Sequence, residues 1–286
     1  MTPEGLLLID KPQGVTSHDV VNSIRRALGT KKVGHAGTLD PMATGLLLLG
    51  VGRATRLLRY LSGLGKTYEG VGRLGERTDT LDADGEIVST SPLDVTSEAL
   101  DEAVAAFRGE ITQIPPAYSA VKVNGRPLYK AARAGNPENP PPEAPPRTVQ
   151  IDRFDITWFD ERDFAFTVAC SGGTYIRTLV ADVGDRLGCG AHLIQLRRTE
   201  VGPFRVDDAR TLDAPGDPLP PEHAVAHLPR LELDEHEAAA ASHGRPLGPA
   251  SIDGPYGVYG PGGELIGIYR DQNAKAVPEM ILAPAG

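Results

Sequence analysis

In GHAGTLDPMATGLLLLG, residues 34–50, one carboxylate, Asp40, stands between a glycine-bounded turn and four consecutive leucines. Its neighbours on both sides are apolar or uncharged, whereas an ordinary surface aspartate sits among other polar groups. Pro41 restricts Asp40 to extended backbone, and the aliphatic run behind it fastens the loop to a core. His35 lies five residues earlier, and Gly34 and Gly37 let the chain turn tightly. An acid fixed in this way at the mouth of a pocket suits nucleophilic or general-base chemistry. The competing account is a turn aspartate accepting backbone hydrogen bonds, and for an Asp-Pro pair alone it is the better one. A second stretch, GGTYIRTL at 172–179, offers Tyr175 and Arg177 at alternate positions. An arginine beside a buried aspartate holds it ionised and oriented, which gives the chemical reading a physical basis.

The elements that must position these groups follow from periodicity. GLLLIDKP reads as a strand ending at Pro12. TSHDVVNSIRRALGT is a helix capped by Thr16 or Ser17, with Val20, Val21, Ile24 and Leu28 on one face and Gly29 as its stop. ATRLLRYL continues in helical spacing, and KTYEGVGRLGERTDT alternates like a strand. TSEALDEAVAAFRGEIT is a second capped helix. RTVQIDRFDITWF and DFAFTVACSGG are strands joined by a polar turn around Asp160–Asp163, and TYIRTLVADVGDRLG is a helix with Ile176, Leu179, Val180 and Val183 facing inward. Strands and helices alternate without a regular βαβ period, so the expected class is α+β with a mixed, antiparallel-rich sheet. The polar, Pro-rich segment 119–150 reads as an inserted arm, and 214–229 as a linker. GVYGPGGELIGIYR reads as a hairpin in a small, mostly β module.

At 286 residues, with 40% hydrophobic and 23% charged residues, the chain is long enough for about two domains and a sizeable core. Its aliphatic runs, such as Leu6–Ile9 and Leu46–Leu49, are far shorter than the roughly 20 residues that span a bilayer. Two cysteines without CxxC spacing make no disulfide framework, and the early Glu4 and Asp10 speak against a signal peptide. A reduced, cytoplasmic protein is expected. The net charge of −9 is unevenly spread: residues 1–80 hold 11 Lys and Arg against 7 Asp and Glu, and residues 207–286 hold 5 against 13. On charge alone, two solvated surfaces are the plain account; a basic half also suits phosphate. SGLGKT ends like a phosphate loop, but Tyr60 occupies its first glycine position. TLDADGEIVSTS imitates a calcium loop, but Thr80 and Ser91 stand at its first and last ligand positions, so a turn with a solvated acidic tip is preferred. The histidines and cysteines never reach zinc spacing, and GxSxG does not occur.

GHAGTLDPMATGLLLLGVGRATR resembles the catalytic motif of the TruB family of pseudouridine synthases. LLLIDKPQGVTSHDVVNSIRR, KTYEGVGRLGERTDTLDADGEI, PPAYSAVKVNGRPLYKAARAG, CSGGTYIRTLVADVGDRLG and AHLIQLRRTEVGPF match the family's pattern in the same order, over roughly residues 5–206. The tail ending KAVPEMILAP resembles a small PUA-type RNA-binding domain. The resemblance implies a catalytic domain over 1–228, with an RNA-clasping arm at 119–150, and a PUA-like domain over 229–286. It implies isomerisation of uridine 55 in the TΨC arm of tRNA to pseudouridine, without cofactor or metal. It also implies no obligate protein partner; the short aliphatic runs speak against a membrane span, and the absence of an evident long apolar stripe points to a monomer.

By the same matching, Asp40 is the essential aspartate and Arg177 its partner. A base inside a folded arm must be flipped out, so His35 would fill the vacated space, Tyr68 would stack on the uracil, and Tyr175 and Leu196 would line the pocket. Lys122, Arg126, Lys130 and Arg133 on the arm, with Arg197 and Arg198, would lie near RNA phosphates. Two departures stand out: GNPENPPPEAPP replaces a more charged stretch of the arm, and the acidic tail suits RNA poorly. A guide-RNA-dependent synthase subunit, and a non-enzymatic tRNA-binding or folding protein, are the alternatives. The intact Asp40, Tyr68, Tyr175 and Arg177 argue against the latter, and the absence of a basic tail against the former.

Overall fold

The computed structural model describes residues 3–119, 121–123, 125–128, 131–132, 142 and 144–282. Its strands in chain order are β1 (Gly5–Lys11), β2 (Val33–His35), β3 (Thr44–Val51), β4 (Lys66–Leu74), β5 (Glu76–Thr78), β6 (Ile87–Thr90) and β7 (Gly109–Gln113). Then come β8 (Lys122–Val123), β9 (Arg126–Pro127), β10 (Arg147–Asp160), β11 (Asp163–Cys170), β12 (Ala191–Val201), β13 (Phe204–Arg205) and β14 (Arg210–Thr211). One sheet runs β14-β1-β3-β12-β4-β11-β10-β7, with β2 on β3 and β13 on β12. Its pairings are antiparallel except β1 with β14 and β3 with β12. A separate four-stranded sheet, β15 (Arg230–Glu232), β16 (Pro255–Tyr259), β17 (Leu265–Gln272) and β18 (Lys275–Ile281), forms the small C-terminal β domain. The α+β class with a mixed sheet is as expected.

Helix α1 (Ser17–Ala27) is capped by Thr16, whose hydroxyl and backbone N–H close a capping box with Asp19. Leu47 and Leu49 of the leucine run face α1 with Val20, Val21 and Ile24, while Leu46 and Leu48 face the opposite way. The strand is therefore buried on both faces, which is why it reads as an unbroken aliphatic run rather than an alternating one. Fully burying each leucine contributes about 2 kcal/mol. On the other half of the sheet, α4 (Ile176–Arg186, after α2, Leu58–Ser62, and α3, Ser97–Ala105) packs Leu179, Val180 and Val183 against Phe154, Phe164 and Phe166. The helix expected over 96–112 stops at Ala105, and Gly109, at φ +91°, turns the chain into β7 instead.

Segment 214–229 is no free linker. Leu6 and Leu219 exchange backbone hydrogen bonds at 2.8 Å, and Ala224 and Val225 are buried beside Leu6 and Leu8. Part of the basic half is also spent inside the molecule: Arg53 donates to Leu282 O (2.8 Å), Arg56 to Ile281 O (2.7 Å), and Arg59 pairs with Glu279 at 3.0 Å. The C-terminal domain is fastened to the large sheet by these bonds and by Tyr259, Ile268 and Met280 in a shared core.

Gly45 sets the approach of β3 to β12. Its φ is +99°, and an added Cβ would lie 2.3 Å from the Arg198 carbonyl oxygen. Gly45→Ala is expected to cost about 3 kcal/mol or more, measured by urea unfolding, because strain and a backbone clash act together.

Candidate active site

The loop between β2 and β3 carries Asp40, and it is pinned on either side of the aspartate. Leu39 N donates to Ser17 Oγ (2.9 Å), and Ser17 Oγ donates back to Leu39 O (3.1 Å). Pro41 O accepts from Gly14 N (2.9 Å) and from Lys11 Nζ (3.3 Å). Lys11 is fully buried and spends its other protons on Pro12 O and Val15 O. Burial pushes its ammonium down to about 8 against the pull of Asp40. Ser17→Ala leaves the Leu39 N–H unpaired in a buried site, and the urea unfolding free energy is expected to fall by about 2 kcal/mol.

Arg177, in the first turn of α4, meets the aspartate. Its Nε lies 3.0 Å from Asp40 Oδ2, and its Nη1 lies 3.1 Å from Asp82 Oδ2. The same guanidinium donates to Thr80 O (2.9 Å) and Tyr118 O (2.9 Å). A guanidinium fork with its donors all engaged has one orientation, and the carboxylate it holds is fixed with it. The Asp40 carboxyl titrates above its ordinary value because burial outweighs Arg177, and the Asp82 charge adds to the rise. About a third of the Asp40 side chain is exposed, on the wall of a cavity.

The cavity beside Asp40 encloses about 610 Å³ and is lined by Tyr68, Tyr175, Arg177, Leu196 and Arg198 among others. Tyr68 of β4 is paired across the sheet with Arg198 of β12, and Leu196 with Gly70, so the period of two points Tyr68, Leu196 and Arg198 the same way. Burial pushes the ionisation of the Tyr68 hydroxyl up, against the pull of the Arg198 charge. Tyr175 precedes α4 and is clamped by the buried Gln113, which accepts from Tyr175 N (3.0 Å) and donates to Tyr175 O (3.2 Å).

Asp40, Arg177, Tyr68, Tyr175, Leu196 and Arg198 thus share one cavity; other expected site residues lie elsewhere. His35 is not among the lining residues: it ends β2 with a buried Nδ1 that has no partner among the described residues, and burial lowers its pKa and favours the neutral ring. His18 of α1 lines the cavity in its place. Arg197 and Arg198 point to opposite faces of β12, and both are engaged by groups of the protein itself. Arg197 is held by Asp10 at 3.0 and 2.8 Å, and Arg198 is 1% exposed and bonded to Leu46 O (2.7 Å) and Gly37 O (3.2 Å). Lys122 and Arg126 are exposed on the β8–β9 hairpin; Lys130 and Arg133 fall outside the described residues. Asp82, expected at a solvated tip, is 4% exposed and joined to Arg177. Lys11, Ser17, Gln113 and Asp82 carry structural duties at the site that sequence reasoning missed. Among the described residues no cluster has metal-binding composition, and no helix is long and apolar enough to cross a membrane.

Family comparisons set the class of this protein first: a pseudouridine synthase. The model of the TruB family pseudouridylate synthase N-terminal domain matches residues 25–176, and two C-terminal models of tRNA pseudouridine synthase match 177–215 and 228–283. The chain belongs to the TruB family. It is 46% identical over 293 residues to the tRNA pseudouridine synthase B of Mycobacterium sp. (strain KMS), covering 98% of this chain and 97% of that protein. It is 44% identical to that of Thermobifida fusca (strain YX), covering 98% and 99%. Among solved structures, a chain of a Cbf5-Nop10-Gar1 complex matches with TM-score 0.75 and 28% identity over 98% of this chain and 85% of that one. A chain of an H/ACA RNP bound to a substrate RNA containing 2'-deoxyuridine matches with TM-score 0.74 and 25% identity over the same shares.

Proposed function

We propose that this protein isomerises uridine 55 in the TΨC arm of tRNA to pseudouridine, acting alone and without a cofactor. The observation that carries the reading is Asp40, held by Arg177 at 3.0 Å at the edge of a cavity roomy enough for a flipped nucleotide. Flipping takes the base out of the stack at a cost of a few kcal/mol, and Tyr68, Tyr175 and Leu196 offer the ring new contacts. The C1′–N1 bond then breaks, the uracil turns, and C1′ bonds to C5; C5 gives up its proton and N1 gains one. Asp40 serves this exchange as nucleophile or as base. Lys122 and Arg126 supply sequence-independent contacts to phosphate, and the relatives' name for tRNA supports that substrate. Identities of 44–46% to those relatives, against 25–28% to chains from ribonucleoprotein assemblies, favour the stand-alone enzyme over a guide-RNA-dependent subunit.

The test is a pseudouridine map of unmodified tRNA transcript incubated with the purified protein alone. A new pseudouridine at position 55 is the expected result. Tight binding without any pseudouridine would overturn the reading in favour of a guide-dependent or binding-only protein.

A further inference from the structure

Two buried cations line the floor of the cavity, and among the described residues neither has a carboxylate within ion-pair distance. Lys66 is 7% exposed and Arg198 1%. Lys66 Nζ donates to Ser62 O (3.1 Å) and Leu64 O (2.8 Å), and the Arg198 guanidinium to the carbonyls of Leu46 and Gly37. Both lie under the Gly37 turn, where an added Cβ would sit 3.5 Å from Lys66 Cε and 3.6 Å from Arg198 Nη1. Neutral carbonyls satisfy hydrogen bonds but leave the charge standing. Arg177 is balanced by Asp40 and Asp82; Lys66 and Arg198 have no such partners. Burying like charges together destabilises a fold, and a methionine or glutamine at position 66 would avoid it. Burial and Arg198 accordingly push the Lys66 ammonium down to about 8.

The field of this pair calls for an anion at the Tyr68 side of the cavity, and the reaction proposed above produces one. When the C1′–N1 bond breaks, the electron pair stays on N1 and its charge spreads to O2 and O4, while Asp40 answers the electron-poor ribose by bonding to C1′ or by taking a ribose proton. We propose that Lys66 and Arg198 form a fixed electropositive floor that stabilises the detached uracil anion until C5 bonds to C1′. The inference rests on the proposed isomerisation. Charges fixed in a water-poor site need no reorganisation as the anion forms, and they act more strongly there than in solvent. A backbone phosphate is the other anion these cations could serve, and it is separable because it contributes to affinity rather than to the chemical step.

Lys66→Gln keeps an N–H donor for the local carbonyls and removes the charge; Lys66→Met removes both. Each is assayed in single turnover with saturating enzyme on a T-arm RNA carrying uridine or 5-fluorouridine at the target. Fluorine lowers the basicity of N1, so the ring leaves with less help. Expected are a rate loss of about 100-fold on uridine for both variants, RNA affinity within about twofold of wild type, and melting temperatures not below wild type. The loss should shrink at least about fivefold on 5-fluorouridine, read as disappearance of the N-linked nucleoside. Weakened binding with a normal rate would assign the pair to phosphate and overturn the proposal. Equal losses on both substrates, or recovery in Lys66→Gln but not Lys66→Met, would reduce Lys66 to a structural donor. Wild-type protein inactive on uridine would instead sink the isomerisation reading itself.

Discussion

Asp40→Asn is expected to lower turnover on the T-arm by roughly 10⁴-fold while RNA binding stays within about threefold, as for loss of a group acting on the reacting atoms. The amide keeps the shape of the side chain and loses the charge and the attacking lone pairs. Measured by single-turnover pseudouridine formation beside a filter-binding assay, near-full activity in the variant would remove Asp40 from the chemistry. Stability should move the other way. The folded chain holds the Asp40 proton more tightly than the unfolded chain, since burial raises its pKa. Ionising it as pH rises above the unfolded value therefore costs stability, and that cost is present at neutral pH. The amide escapes it, so the melting temperature of Asp40→Asn at neutral pH should be no lower than wild type. In the wild type, the rate should fall as pH is lowered through the raised pKa, at a midpoint above the ordinary carboxylate value of 3.8.

Arg177→Met should be the most damaging single change to the pocket as a structure. Asp82, with only 5% of its side chain exposed, would lose its ion partner, and Thr80 O and Tyr118 O would lose a donor. Removing one side of a buried pair costs about 3–5 kcal/mol, and turnover should vanish with the orientation of Asp40. The double variant Arg177→Met, Asp82→Asn separates the two effects. It should recover part of the urea unfolding free energy, because no unpaired charge remains at position 82, and none of the turnover. Activity returning in the double variant would mean that Arg177 merely neutralises Asp82.

Much of the architecture was legible where the side-chain period matched one exposed and one buried face. β4 and β11 alternate cleanly, and their inward residues include Tyr68, Phe164 and Phe166. β12 was harder. Register shifts between Leu193 and Gln195, and between Arg198 and Glu200, break its period of two. Arg197 and Arg198 lie between those shifts, where adjacent residues take opposite faces; what the sequence could not show was that Asp10 holds one and the carbonyls of Leu46 and Gly37 the other. Asp82 was misjudged for a different reason: it sits in a turn-like stretch, TLDADG, and it is buried by a bridge to Leu193 and by Arg177, both distant in sequence. The Asp40 loop could be singled out because proline, glycines and leucines constrain it locally. Lys11 and Gln113 could not, because what defines their duties is which carbonyls the tertiary fold brings to them.

The guanidinium of Arg177 gathers groups at positions 40, 80, 82 and 118, segments that have no reason to meet until the sheet closes around them. Each such meeting requires closing a long loop before any contact rewards it, and non-local pairings of this kind slow folding. During refolding from urea, α1 and the β10–β11 hairpin can form from neighbouring residues, whereas a competent Asp40 must wait for the last of these closures. Recovery of catalysis should consequently trail recovery of the far-ultraviolet circular dichroism signal, so that a folding intermediate with most of its secondary structure is one without an enzyme.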